Sequence, residues 1–272
     1  MRPRRGRLPR PSSPRVLLVL AGVLPLAAGG LVLSLLPGSS SRCQQVAVPA
    51  YFYPGASWAR AIDSRPPPGV MILDVTSSGA GSSPDPNYQA AVKRAQAAGI
   101  RILGYANTDY TQRPAAAVEA DVRSYKAWYH VRDIFLDEVP SSDAGIRYYR
   151  RLTGYIKGGS PDSMVMLNPG IYPDRRYMSL GDVMLVYEGT YAGYVGLHVP
   201  AWAYRYPAAQ FADAIYATPG SRLANAVILS WRRHAGFVYV TDSTGPNPYG
   251  SLPGYWAGET AIVARNCKSQ RS

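Results

Sequence analysis

The chain has 272 residues, of which 47% are hydrophobic, and its 21 tyrosines and 5 tryptophans supply enough apolar surface for a sizeable core, which argues against disorder throughout. The formal net charge is +12, but seven arginines precede Cys43, so the rest of the chain holds 22 basic residues against 17 acidic ones. No basic stripe or nucleic-acid-binding motif accompanies this mild excess, which argues against a nucleic-acid partner.

The N-terminal segment has the pattern of an export signal. Residues 1–15 form a basic region with six arginines, and residues 16–36 form an uncharged apolar run of 21 residues. A basic flank before an apolar run is typical of a signal peptide or a signal anchor, and this run is long enough to span a bilayer. We therefore predict that everything after Leu36 lies outside the cytoplasm, either secreted or anchored to the membrane by an uncleaved segment.

After a linker at residues 37–45, strand-like and helix-like segments alternate. The predicted strands, in chain order, are Val46–Tyr53, Val70–Thr76, Arg101–Ala106, Asp133–Glu138, Met164–Leu167, Val183–Glu188, Asp213–Ala217 and Phe237–Thr241. The predicted helices are Pro86–Gly99, Pro114–Tyr129, Ser142–Lys157, a short piece at Asp174–Ser179, Arg222–Arg233 and Tyr255–Ala264, while residues 190–210 are expected to be irregular.

This alternation predicts a parallel sheet covered by helices. Eight repeats over residues 46–267 indicate a (β/α)8 TIM-type barrel as one domain. The competing architecture is an open doubly wound sheet, which would place a glycine-rich phosphate loop after the first strand. Residues Tyr51–Trp58 do not form such a loop. The pattern carries no signal for an oligomeric state.

Active sites of such barrels lie at the carboxyl ends of the strands, so the residues at those positions are the candidates. Three carboxylates close apolar strands: Asp137 and Glu138 at strand four, and Glu188 at strand six. A facing pair of carboxylates is what glycosidic cleavage requires, one to protonate the leaving oxygen and one to attack or stabilise the sugar cation. A single strand-end acid more often caps a helix or pairs with an arginine, but three together favour catalysis.

Neighbouring residues of a strand face opposite sides, so Asp137 and Glu138 are not both expected to point into the barrel unless the strand ends or bulges there. Glu138 is expected to support the catalytic pair or to bind the substrate. Further candidates for substrate binding are polar and aromatic residues at strand ends, namely Tyr53, Asp74, Tyr105, Asn107, Asp109, Asn168, Tyr187, Tyr191, Trp231 and Asp242. Tyrosine and tryptophan rings pack against the apolar faces of sugars, although for any single ring core packing is the safer interpretation.

Other chemistries have little support in the sequence. The three histidines are scattered without metal-ligand spacing, so we predict no metal and no cofactor. No G-x-S-x-G elbow and no phosphate loop with lysine is present, and Ser77–Ser83 is interpreted as a flexible loop at the mouth of the site. The two cysteines, Cys43 and Cys267, flank the predicted domain and suggest a disulfide that ties its ends together.

With these residues in place, the sequence resembles the spherulin 4 family, placed among glycoside hydrolases as family 135. The stretches that carry the resemblance are VPAYFY at 48–53, IRILGY at 100–105, IFLDEVP at 134–140, LNPG at 167–170, LVYEGTY at 185–191 and VYVTD at 238–242. The resemblance implies a (β/α)8 barrel with catalytic acids at Asp137, Glu138 and Glu188. It also implies cleavage within α-1,4-linked N-acetylgalactosamine stretches, the activity of the characterised fungal members.

One segment departs from the family pattern: Asp74-Val75 stands where the family tends to show Asn-Pro, which bears on the sugar subsites. The sequence thus predicts an extracytoplasmic endo-acting glycosidase, endo-α-1,4-N-acetylgalactosaminidase-like, acting on a polysaccharide of a biofilm or cell surface. Glu188 is expected to be the general acid/base and Asp137 the nucleophile, with the exchange of these roles left open. The alternatives are a non-catalytic glycan-binding barrel and an enzyme of another barrel chemistry.

Overall fold

A computed structural model describes residues 43–268 of the chain, apart from the Lys268 side chain. Eight parallel strands close into a barrel in sequence order, with β1 paired to β8 through Gln45–Phe237 and Val46–Val238. The strands are β1 (Gln45–Ala50), β2 (Val70–Leu73), β3 (Arg101–Asn107), β4 (Asp133–Asp137), β5 (Val165–Leu167), β6 (Val183–Thr190), β7 (Phe211–Tyr216) and β8 (Phe237–Val240). The predicted (β/α)8 architecture is therefore confirmed.

Helices follow seven of the eight strands. They are α1 (Ala56–Asp63), α2 (Pro86–Ala97), α3 (Ala115–Tyr129), α4 (Ile146–Gly159), α5 (Tyr191–Val195), α6 (Leu223–Arg232) and α7 (Trp256–Lys268). After β5 the helix is reduced to a 3₁₀ turn at Arg175–Ser179, where the sequence predicted a short helical piece. Within residues 43–268, no helix is both long enough and apolar enough to cross a membrane.

Local chemistry explains where individual helices begin and how closely they pack. The Asp85 side chain accepts hydrogen bonds from the N–H groups of Asn87 and Tyr88, with Pro86 at the first helical position, and so fixes the start of α2. Tyr125 of α3 lies flat on β3 because residue 104 is glycine, where a Cβ atom would stand 2.6 Å from the Tyr125 ring. The Tyr125 hydroxyl donates to the Tyr105 carbonyl at 2.8 Å, which anchors α3 to the strand that carries a site residue.

The structure corrects three predicted elements. Helix α1 was not predicted, although Trp58, Ala61 and Ile62 bury one face of it, because two turns give too short a period to recognise. Strand β1 ends at Ala50 rather than at Tyr53, since the chain bends there and the Phe52 carbonyl accepts a hydrogen bond from Trp58. The predicted irregular stretch 190–210 contains α5 and two 3₁₀ turns.

A disulfide joins the N-terminal and C-terminal segments of the barrel domain. Cys43, just before β1, forms a disulfide with Cys267 in α7, across a separation of 224 residues. The predicted disulfide is thus present, and closing so long a loop stabilises the fold by roughly 4–5 kcal/mol in the chain-entropy treatment. The predicted basic region 1–15, the apolar run 16–36 and most of the linker 37–45 lie outside the described residues.

Candidate active site

An open cleft of about 520 Å³ lies over the carboxyl ends of the strands. Its walls come from β3, β6 and β7 and from the segments that follow β1, β2, β5 and β8. The residues that line it are Tyr51, Asp74, Ser77, Tyr105, Gly170, Glu188, Tyr216, Gly245, Pro246, Asn247, Pro248 and Tyr249. The cleft therefore stands where barrel folds place their chemistry.

Asp137 lies at the floor of this region, at the end of β4. Asp137 follows Phe135 by two positions, and side chains two apart on a strand face the same side. Because Phe135 lines the barrel interior, the Asp137 carboxylate also faces inward. Three donors hold the carboxylate: the Tyr105 hydroxyl at 2.8 Å, the Asn168 side-chain amide at 2.7 Å and the Glu138 N–H at 2.9 Å. Burial raises the pKa of Asp137, and the three hydrogen bonds oppose that rise because they favour the charged form.

Asn168 connects the two central carboxylates. Its Nδ2 donates to Asp137 Oδ1 and to Glu188 Oε2, each at 2.7 Å. Its Oδ1 accepts the Gly170 N–H at 2.9 Å, which turns the amide so that its nitrogen faces both acids. Because one nitrogen reaches both oxygens, Asp137 Oδ1 and Glu188 Oε2 stand no farther apart than twice 2.7 Å, that is 5.4 Å.

Glu188 reaches the cleft because β6 contains a bulge. Its pairing with β7 shifts register between Leu185 and Tyr187, which inserts one extra residue. Leu185 and Glu188 are three positions apart and would face opposite sides of a regular strand, yet both line the barrel interior. The bulge therefore re-aims Glu188 from the helix layer towards Asp137.

The surroundings of Glu188 favour its protonated form. Burial, as the largest cause, and the Asp137 charge both raise the pKa of the Glu188 carboxyl, and the Asn168 amide opposes them. The Tyr249 hydroxyl faces this carboxylate from the loop after β8. Its interaction with the carboxylate favours the charged form of Glu188 and so opposes the rise in pKa, as the Asn168 amide does.

Glu138 stands apart from this pair. It follows the end of β4 in the left-handed region, at φ 56°, and does not line the cleft. Burial and then the Asp137 charge raise the pKa of Glu138, while the Asn107 side chain opposes the rise. Because β4 ends at Asp137, strand alternation does not fix the side that Glu138 faces, and a supporting role for Glu138 stays a prediction.

The segment after β3 is strained. Asp109, Tyr110 and Thr111 all have positive φ, at 46°, 48° and 82°, which non-glycine residues rarely adopt even singly. The Tyr110 N–H donates to the Glu138 carbonyl at 3.0 Å, so the strained turn is tied to the end of β4. It holds the Tyr110 ring at the rim of the site with 57% of its surface exposed. Strain of this kind is typical of functional segments.

The predicted substrate-binding residues separate into two groups. Asp74 and Tyr105 line the cleft, and Asn168 lies beneath it. Seven others do not line it, namely Tyr53, Asn107, Asp109, Tyr187, Tyr191, Trp231 and Asp242.

Local contacts explain several of these positions. The Tyr53 hydroxyl is bonded to Asp85 at the start of α2, and the Tyr187 hydroxyl donates to the Thr190 carbonyl. Trp231 lies in the last turn of α6, which leads into the opposite, amino-terminal end of β8. The Tyr191 hydroxyl accepts from Asn225 on α6.

Sequence reasoning missed part of the cleft wall. Tyr216 ends β7, and residues 245–249, which include Tyr249, come from the loop after β8. Tyr216 was not recognised because the strand was predicted to run from Asp213 to Ala217, so Tyr216 did not stand at its end. The Gly-Pro-Asn-Pro-Tyr run at 245–249 signals a turn but gives no hint that the turn folds back over the barrel mouth. Across residues 43–268, no group of three or more histidines, cysteines or acids is placed to hold a metal ion.

A further buried carboxyl lies on β7. Asp213 Oδ2 accepts from the Tyr194 hydroxyl at 2.5 Å and from the Ser230 hydroxyl at 2.8 Å, between the sheet and helices α5 and α6. Ser230 in turn accepts from the Gln44 side chain at 3.0 Å. Burial raises the pKa of Asp213 to about 6, although both hydroxyls oppose the rise.

This shift predicts a pH-dependent stability. Because the folded pKa of Asp213 lies above that of the unfolded chain, its contribution is fully present below pH 4 and is lost as the pH rises through 6. We expect the free energy of unfolding to fall by about 3 kcal/mol over this window from this group alone. Urea unfolding of the wild type and of Asp213→Asn between pH 4 and 7 gives two curves of the free energy of unfolding against pH. The difference between these curves measures the contribution of Asp213. A difference that does not change with pH would contradict the assignment.

Comparison with known proteins agrees with this architecture. The model of the family described as spherulation-specific family 4 matches residues 45–263. Spherulin-4 of Physarum polycephalum is 30% identical over 256 residues, which cover 89% of this chain and 76% of that protein. The chain is also similar to the crystal structure of Aspergillus clavatus Sph3 in complex with GalNAc, with a TM-score of 0.73 and 29% identity over 82% of this chain and 98% of that one.

More distant likeness concerns the fold alone. An α-amylase from Lactobacillus plantarum superposes with a TM-score of 0.51 at 9% identity, over 84% of this chain and 80% of the amylase. At this identity the match shows a shared barrel and carries nothing about substrate.

Proposed function

The chain belongs to spherulation-specific family 4, and on that premise we propose that it is a glycoside hydrolase that uses Asp137 and Glu188 as its catalytic pair. The observation that carries the proposal is the single Asn168 amide that bridges the two carboxylates beneath the cleft. Two acids that share one donor, with their pKa values set by different surroundings, are suited to divided roles in acid–base and nucleophilic chemistry.

The separation of the two acids supports a retaining mechanism. Retaining glycosidases keep their carboxyl groups about 5–5.5 Å apart, whereas inverting enzymes need roughly 6.5–9.5 Å to admit a water. The Asn168-bridged oxygens are at most 5.4 Å apart, which is shorter than the separation that inverting enzymes need. The sugar is therefore expected to bind covalently to the protein before water releases it.

The hydrogen bonds support one assignment of roles. Asp137, stabilised as an anion by three donors, attacks the anomeric carbon while Glu188 gives its proton to the leaving oxygen. In the second step Glu188 takes a proton from water, the water attacks the same carbon, and the Asp137 carboxylate leaves. The Asn168 amide is expected to hold both acids in place through the two steps, with its stronger hydrogen bond made to whichever carboxylate is charged.

The substrate we propose is a polysaccharide that contains N-acetylgalactosamine, cleaved within the chain. The similar Sph3 structure holds GalNAc. The cleft here is open, so a polymer can pass across it, and its lining includes the aromatic residues Tyr51, Tyr105, Tyr216 and Tyr249. The disulfide and the apolar segment 16–36 support a site of action outside the cytoplasm, at a biofilm or cell surface.

The test is incubation of the full chain with α-1,4-linked N-acetylgalactosamine polymer. We expect oligosaccharides by mass spectrometry, and NMR of the first products is expected to show the α configuration at the new reducing end. The Asp137→Asn/Glu188→Gln double variant serves as the control for contaminating activity. If the folded wild type binds the polymer but releases no products from it or from a panel of other glycans, the protein is a glycan-binding barrel and the proposal fails.

A further inference from the structure

A second concave surface adjoins the cleft on the same end of the barrel. This groove, of about 820 Å³, lies between the N-terminal parts of α3 and α4. Its lining residues are Thr111, Arg113, Pro114, Ala115, Asp143, Ala144, Ile146, Arg147, Tyr148, Arg150 and Arg151. Four arginines against one acid give it a strong positive charge.

Two of the four arginines have no internal counterion to explain them. Arg113 is paired with Asp121 at 2.5 Å, and Arg151 with Glu119 at 2.8 Å. Arg147 and Arg150 are exposed and form no ion pair with any residue between 43 and 268. The lining acid, Asp143, is itself bonded to Arg176 at 2.9 Å and so leaves their charge uncompensated.

The position of this charge is unfavourable for the fold. Arg147 lies in the first turn of α4, and the acid of the 3₁₀ turn that runs into this helix, Asp143, is bonded to Arg176 instead. Cations at a helix N-terminus are repelled by the unpaired N–H groups and the helix dipole. Arg147 therefore gains no favourable interaction with the helix terminus, and neither it nor Arg150 is held by an ion pair within residues 43–268, which leaves both available to a ligand.

The strained turn after β3 links the groove to the active site. Tyr110 stands beside Glu138 at the rim, and the next residue, Thr111, already lines the groove. Tyr148 of α4 donates to the Arg113 carbonyl at 2.7 Å and so fixes α4 against this turn. A polymer that extends past Tyr110 from the catalytic carboxylates meets Arg147 and Arg150 next.

We propose that the groove is a distal subsite that binds an anionic substituent, a carboxylate or a phosphate, on the polysaccharide that occupies the cleft. This inference rests on the proposed function for the identity of the polymer, and it adds that the substrate is an acidic chain. Guanidinium groups suit both anions because they donate paired, parallel hydrogen bonds. Carbohydrate is favoured over an acidic peptide because the groove lies at the same end of the barrel as the proposed sugar cleft, with the Tyr110 turn between them.

The experiment measures binding in a background without turnover, with the Asp137→Asn full chain as parent. Isothermal titration compares α-1,4-linked galacturonate oligomers with N-acetylgalactosamine oligomers of equal length. A glycerol phosphate oligomer is titrated in the same way to test phosphate binding. Whichever of the two anions, carboxylate or phosphate, binds more tightly is taken as the substituent that the groove recognises. Arg147→Glu/Arg150→Glu is expected to weaken binding of that anion by about tenfold and to leave the neutral oligomer unchanged.

The matched control is Lys93→Glu/Arg222→Glu, which makes the same charge change at exposed positions away from the groove. It is expected to bind like the parent. Equal loss in the control, equal loss for the neutral oligomer, or no binding of either anion would overturn the inference. The melting temperature of the groove variant is expected to stay level or rise, because acids suit the start of α4. If the melting temperature falls, the Arg147→Gln/Arg150→Gln variant is used in place of the glutamate variant, and the same outcomes are expected.

This design separates the two proposals. If anion binding depends on Arg147 and Arg150 while the wild type cleaves nothing, the hydrolase proposal fails and the subsite stands. If the wild type cleaves its polymer while anion binding ignores the groove arginines, the subsite fails and the hydrolase proposal stands.

Discussion

Asp137→Asn is expected to lower kcat on a glycosidic substrate by about ten-thousand-fold or more, the loss found when a nucleophile that acts with other groups is removed. The amide keeps the size of the side chain and can still bond to Tyr105 and Asn168, so the cleft keeps its shape. It has no charge with which to attack the anomeric carbon. Steady-state kinetics of the purified full chain, with binding measured separately, check the prediction.

The matched control is Asp162→Asn, an exposed acid at the amino-terminal end of β5, which is expected to keep wild-type activity. A second measurement identifies the role. In Asp137→Ala the space left by the carboxylate admits azide, and a restored reaction whose glycosyl azide has inverted configuration marks Asp137 as the nucleophile. A glycosyl azide of retained configuration would assign Asp137 the acid/base role instead, and substantial residual activity in Asp137→Asn would remove it from the catalytic pair.

Much of the barrel could be predicted because the strands are buried apolar runs and the helices repeat their apolar residues every three to four positions. Strand β4, for example, buries Ile134, Phe135 and Leu136 completely and then ends in an acid. Helix α1 escaped because it is only two turns long and carries a single large buried residue, Trp58. Periodicity needs length before it can be distinguished from chance.

Part of the candidate site could likewise be predicted from the sequence, and part could not. Asp137, Asn168 and Glu188 were found because a barrel gathers the carboxyl ends of its strands at one face, wherever they lie in the sequence. Two features had no such signal. The bulge that turns Glu188 inward depends on the register between β6 and β7, and the position of Tyr249 depends on how a loop folds. Both are tertiary properties that local sequence does not encode.

The bridge by Asn168 was likewise out of reach, although the residue itself was a candidate. Its role depends on one nitrogen lying 2.7 Å from both carboxylates, and on Gly170 fixing the amide orientation. The sequence supplies the residue types at the strand ends, whereas the distances that decide between retention and inversion arise only when the strands are assembled. This is why a proposal about mechanism needs the structure.

Glu188→Gln is expected to reduce hydrolysis of unactivated glycosidic bonds by about 10²–10⁴-fold, the usual contribution of a general acid. The loss is expected to be far smaller in the first step for a synthetic substrate with an acidic phenol as leaving group, because that group departs without protonation. Tyr204→Phe, an exposed ring distant from the cleft lining, is the control. Equal losses on both substrates would show that Glu188 does not donate the proton.

The pH profile gives an independent check. Burial and the Asp137 charge raise the pKa of Glu188, so the wild type keeps this acid protonated to a higher pH than an ordinary glutamate and loses activity as the pH rises through that pKa. Activity also falls at low pH as Asp137 becomes protonated. In Glu188→Gln the basic limb is expected to disappear while the acidic limb remains. A basic limb that survives would have to come from another group and would withdraw the acid/base role from Glu188.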